Sequence, residues 1–226
     1  MSRYYIPRHV TQRDPSDPRA MSHCWGACGA CCLDAATDGT AKVTAKEFAK
    51  MAGGGSGRKT GSGTQEDIVQ GLDRYGVHAD ILNVSPSDLK RMLSTPRRAI
   101  FAIATAYEAW PPSLDCMHGE AGPDVNHEVV VIPGATDGKV PVMNPLCFEY
   151  QDVPVDDVVQ AAAKYAKEQS HSRSIQVVRV YRQKPTGAIA DKARIAELED
   201  QLSQWEEYAA TVRRLAGDIL DVAVPK

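Results

Sequence analysis

The chain has 226 residues, a net charge of −3, 43 % hydrophobic and 24 % charged residues. That composition excludes a disordered chain and fits one domain of ordinary size with an appendage. The small negative charge implies no general nucleic-acid or anionic-membrane partner, and no apolar run reaches the roughly 18 residues of a membrane span.

Residues 1–22 carry Pro7, Pro15 and Pro18 among many charges and read as an extended lead-in. Met1 to Arg8 lacks the apolar stretch of a secretory signal, so synthesis in the cytoplasm without a signal peptide is expected. Residues 28–36 are small and apolar, which predicts a buried, closely packed helix starting at Cys28. Thr44 and Glu47 have capping-box spacing, placing a short helix through Phe48 and Met51. Gly53 to Gly63 is a glycine-rich loop. It lacks the strand–loop–helix context and the Gly-Lys-Thr step of a phosphate loop. Thr64 then caps a helix through Ile68, Val69 and Leu72 that Gly76 ends.

Ala79 to Val84 predicts a strand, and Ser85-Pro86 caps and opens the next helix. Ala99 to Ala104 reads as a buried strand, followed by a long loop over 105–125. Strands are expected over Glu128–Pro133 and Lys139–Asn144, joined through Asp137-Gly138, a hairpin signal. A helix from about Val155 to Lys167 and a strand over Ser174–Tyr181 close the domain. Helices first and hairpin-connected strands later give an α+β fold over residues 23–182. Residues 183–187 form a linker. In 188–226 the residues Ile195, Leu198, Leu202, Trp205, Ala209, Val212, Ala216, Ile219 and Ala223 repeat at alternating steps of three and four. That spacing predicts a C-terminal coiled-coil helix, with a homo-oligomer or docking to another coil as its partner state.

The six cysteines are Cys24, Cys28, Cys31, Cys32, Cys116 and Cys147. Without a signal peptide, a disulfide framework is not expected. Cys28 and Cys31, with Cys24 or His23 and with Cys116 and His118, offer soft ligands for zinc. No second pair completes a standard spacing, so no metal and no cofactor is assigned.

Cys28, His127 and Asn144 form the constellation that carries chemistry. A cysteine at a helix start gains thiolate stabilisation from the helix dipole, and a neighbouring imidazole strengthens it. His127 opens one hairpin strand and Asn144 ends the other, so both fall at one end of a sheet, where Asn144 orients the imidazole.

Cys28-Gly29-Ala30-Cys31-Cys32-Leu33 resembles the Cys-Gly-Pro-Ala-Cys-Leu signature of the papain-like, bacteriocin-processing (double-glycine leader) cysteine peptidases. The block from His127 through Gly134, Asp137-Gly138 and Asn144-Pro145 resembles that family's His-strand, turn, strand and Asp/Asn-Pro block. Gly63 to Ile68 and Asp88 to Ala104 resemble its intermediate region, so the likeness spans roughly residues 20–181. The resemblance implies a papain-like fold in which Cys28 attacks a peptide carbonyl, His127 moves the proton and Asn144 holds His127. The family's oxyanion glutamine lies about six residues before the nucleophile. Ser22 occupies that position here and the only glutamine upstream is Gln12, which leaves Gln12 or Ser22 to act with the Cys28 N–H. The chain is also similar to peptidase modules of endolysins from phages of actinobacteria. That likeness implies a phage-encoded enzyme acting on peptides, peptidoglycan cross-links included, and a virion-associated or cell-wall-directed location. The alternative is an inert or weakly active structural protein of a virion or tail, assembled through the coil.

Overall fold

The computed structural model describes residues 6–13, 24–53, 63–96, 98–106, 109, 126–168 and 174–181. The chain divides into two compact units, Met1–Gln183 and Lys184–Lys226, and every described residue belongs to the first. Ser22, Cys116, His118, the linker and the heptad segment lie outside the described residues.

The elements in chain order are α1 (Cys24–Ala36), α2 (Ala45–Met51), α3 (Gln65–Arg74), β1 (Ala79–Val84), α4 (Pro86–Ser94), β2 (Ala99–Ala106), β3 (Asn126–Val131), β4 (Lys139–Met143), β5 (Gln151–Pro154), α5 (Val155–Glu168) and β6 (Ile175–Tyr181). One six-stranded sheet holds the strands in the order β1-β6-β2-β3-β4-β5, and every pairing in it is antiparallel. The architecture is α+β.

Local chemistry sets the boundaries. Thr44 and Thr64 each accept from the N3 backbone N–H, while Glu47 and Asp67 reach back to the cap N–H; these are complete capping boxes. Ser85 caps α4, with Pro86 at its first turn. Between β3 and β4 the chain reverses through Asp137 (φ 52°) and Gly138 (φ 75°). Thr136 and Lys139 exchange both backbone hydrogen bonds at 2.9 Å around them. Two successive positive φ angles make the tight hairpin turn that matches strand twist, and Asp-Gly is a pair that accepts them.

Two hydrophobic layers enclose the sheet. Cys28, Leu33, Phe48, Leu72, Ile100, Val130 and Val178 belong to the cluster on the α1–α3 side. Leu89, Phe101, Val129, Val131, Val158 and Val177 belong to the cluster on the α4–α5 side. Neighbouring residues of β2, β3 and β6 thus alternate between layers, as strand geometry requires. All eight residues of β2 are buried, which explains its unbroken apolar sequence.

The segment 6–13 has no regular structure and docks onto the sheet unit. Arg8 N–H donates to Asp34 Oδ2 (2.7 Å), Val10 enters the core, and Gln12 N–H donates to the Pro145 carbonyl (3.0 Å). Two features depart from the sequence reading. Helix α1 starts at Cys24, not Cys28, and β5 is an additional strand. The first turn of α1 contains Gly26 and no acidic residue, so it carries none of the usual start signals. Only Val153 of β5 is buried, leaving no apolar pattern to read there.

Candidate active site

His127 is the second residue of β3, and Asn144 follows the last residue of β4. The antiparallel register pairs Val130 with Met143, so both side chains fall at the same end of the sheet. His127 Nε2 and Asn144 Oδ1 lie 2.8 Å apart. Asn144 Oδ1 also accepts from the Leu146 backbone N–H at 3.0 Å, which fixes which end of the amide faces the ring. An amide oxygen only accepts, so the imidazole proton sits on Nε2 and Nδ1 keeps its lone pair. Burial pushes the His127 pKa down to about 4 against a smaller opposing pull from Asn144. At neutral pH His127 is therefore an uncharged base, 2 % exposed and held in one tautomer.

The backbone of Asn144 is held as firmly as its side chain. Its carbonyl accepts from His9 Nε2–H (3.1 Å) and from the Cys147 N–H (2.9 Å). The His9 ring meets Tyr150 edge-on, and the Tyr150 hydroxyl lies 3.4 Å from Cys31 Sγ. The Pro145 carbonyl accepts from Thr11 Oγ1–H as well as from the Gln12 N–H. Gln12 is thereby brought, buried, beside the segment that carries Asn144.

Cys24, Cys28, Cys31 and Cys32 are free thiols on α1, and Cys147 is disulfide-bonded, a bridge the sequence reading did not expect. The reading of Cys28 as a helix-start residue is corrected: it lies one turn inside α1, fully buried. Desolvation, reinforced by Glu128, pushes its pKa well above the ordinary thiol value. Cys31 is raised to about 12 by the same burial. Cys24 is the first residue of α1 and keeps some solvent contact. Desolvation lifts it to about 11, while backbone N–H groups of Glu128, Trp25 and Cys24 itself pull the other way. Among the described residues no group of His, Cys, Asp and Glu is placed to hold a metal ion.

No protein-family model and no curated protein matches the sequence. Solved structures do. The peptidase domain of Streptococcus ComA, a bi-functional ABC transporter of a quorum-sensing pathway, aligns with a TM-score of 0.50 at 12 % identity. That alignment covers 79 % of this chain and 99 % of that one. The chain has the fold of a double-glycine peptidase domain. A putative C39-like peptidase from Bacillus anthracis aligns with a TM-score of 0.49 at 15 % identity, over 79 % of this chain and 95 % of that one. A double-glycine-motif protease from an AMS/PCAT transporter, crystallised with its leader peptide, gives 0.43 at 15 % identity, over 80 % and 96 %.

Within this fold, Glu128 is a buried acid beside His127 that sequence reasoning did not single out. It directly follows His127, is 8 % exposed, and its Oε1 is buried with no hydrogen-bond partner among the described residues. Burial raises its pKa to about 8, against a hydrogen bond from the Gln65 side chain. Its charge is felt at Cys24, Cys28, Cys32 and Tyr165. An acidic residue inside an otherwise apolar strand was the available signal.

Proposed function

We propose that this protein is a papain-like cysteine peptidase that cleaves peptide amides through a thiol of α1, His127 and Asn144. The observation that carries this reading is the His127–Asn144 pair. A buried imidazole with Nε2–H held by an amide oxygen has one task left for Nδ1, the acceptance of a proton. Four reduced cysteines lie on the helix that packs against β3, and the fold is one that hosts this chemistry.

The reaction runs in two halves. The thiol sulfur bonds to the peptide carbonyl carbon as its proton passes to His127 Nδ1, and the carbonyl electrons move to oxygen. The oxyanion then collapses, the C–N bond breaks with its electron pair, and His127 gives its proton to the leaving amine. Water attacks the resulting thioester with His127 again as base, releasing the acid and restoring the thiol. Raised thiol and lowered imidazole pKa values make the resting pair neutral, so charge separates only during attack. Gln12, docked beside Asn144-Pro145, is the proposed oxyanion donor. Peptidoglycan cross-link peptides are the substrate class to test first.

Purified full-length protein is expected to cleave such peptides, and His127→Ala to lower kcat by about 10²–10⁴ with the fold intact. Equal turnover by wild type and His127→Ala would remove His127 from the reaction. Absence of cleavage across a broad peptide pool would favour the inert structural reading.

A further inference from the structure

We infer that Cys24, rather than Cys28, supplies the attacking thiol. This rests on the peptidase reading above and assigns its nucleophile. Cys24 and Cys28 are four residues apart and share one face of α1, so their spacing cannot separate them. The start of the helix does. At the first residue of α1 the unsatisfied N–H groups and the positive end of the dipole stabilise a thiolate, and the effect fades within one turn.

Three further observations point the same way. Backbone N–H groups of Trp25, Cys24 and Glu128 hydrogen-bond toward the Cys24 sulfur. Glu128 is the residue after His127 in β3, so the N–H that faces the sulfur belongs to the sequence neighbour of the proposed base. Cys24 keeps solvent contact, whereas Cys28, Cys31 and Cys32 are wholly enclosed and no peptide carbonyl reaches them. Finally, the helix start is held in place: Trp25 is buried and packs so tightly on Gly63 that a Cβ there would come 2.2 Å from the indole. Cys28 instead belongs to the apolar cluster with Val130 and Phe48, the ordinary place of a small buried hydrophobe.

An activated ester tests the assignment without knowledge of the natural substrate. With p-nitrophenyl acetate the sulfur bonds to the acetyl carbon and its proton passes to His127. The ester C–O bond breaks, p-nitrophenolate leaves with the electron pair, and an acetyl thioester stays on the cysteine. Full-length protein is reacted, quenched in acid and mapped by peptide mass spectrometry. The expected result is acetylation of Cys24 in wild type and in Cys28→Ser, and no burst in Cys24→Ser or Cys24→Ala at unchanged melting temperature. His127→Ala should slow acetylation at least about 100-fold. Acetylation of Cys28, or a burst that survives Cys24→Ser, would overturn the assignment and leave the peptidase reading standing. No thioester on any α1 cysteine of folded wild type would overturn both.

Discussion

At the scale of single residues, His127 and Glu128 sit side by side with opposite shifts. His127 is lowered from 6.5 to about 4 and Glu128 is raised from 4.5 to about 8, both by burial. Each binds protons differently in the folded and unfolded chain, so each makes stability depend on pH. The contribution of His127 is complete above pH 6.5 and is lost as pH falls from there towards 4. That of Glu128 is complete below pH 4.5 and is lost as pH rises towards 8. The two oppose each other at mildly acidic pH, and only the Glu128 slope remains above 6.5. Thermal melts should therefore show the melting temperature falling from pH 6.5 to 8, and falling further beyond as the α1 thiols, raised from 9.0 by burial, ionise only in the unfolded chain. In Glu128→Gln the decline between pH 6.5 and 8 should disappear, and an identical decline there in the variant would mean Glu128 is not the group that titrates. Among the described residues, the titratable groups facing Glu128 are Glu66 from α3, the thiols of Cys24, Cys28 and Cys32 from α1, and the Tyr165 hydroxyl from α5. None is a cation, so an ionised Glu128 has no compensating charge among them.

At the scale of elements, α1 is the piece that positions the thiols, and glycines let it approach its neighbours. A Cβ at Gly29 would meet the Phe48 ring at 2.1 Å, and one at Gly71 of α3 would meet the same ring at 2.6 Å. Phe48 is fully enclosed, so its ring cannot swing aside. Gly29→Ala should destabilise the domain by about 1–3 kcal/mol through overpacking, read as a lower denaturation midpoint at unchanged m-value. A midpoint equal to wild type would mean α1 and α2 are less tightly joined than this geometry states. The same helix shows what a sequence can disclose. α2, α3 and α4 begin with side-chain caps and were legible from Thr44, Thr64 and Ser85. The β3–β4 hairpin was legible from Asp137-Gly138, and with it the meeting of His127 and Asn144. α1 is buried along twelve of its thirteen residues, so it has no polar face and no period to locate its first turn. The helix start read at Cys28 therefore lies four residues inside the observed start at Cys24. The pKa of Glu128 and the docking of Gln12 depend on contacts between segments more than 30 residues apart, which no local pattern encodes.

At the scale of the whole molecule, the antiparallel sheet gathers the candidate site from distant stretches. Segment 6–13, the start of β3 and the end of β4 meet at one end of the sheet unit, and the start of α1 lies against Glu128 of β3. Everything proposed for catalysis passes through one ring held in one tautomer there, and the most direct measurement is of that ring. Long-range proton–nitrogen NMR of the full-length chain distinguishes protonated from bare imidazole nitrogens. The His127→Ala spectrum assigns the signals. At pH 7 the account expects Nε2 protonated and Nδ1 bare, with no charge taken up until pH falls to about 4. A proton on Nδ1 at pH 7, or a ring titrating near the ordinary 6.5, would contradict it, because Nδ1 would then be neither bare nor held ready as the base.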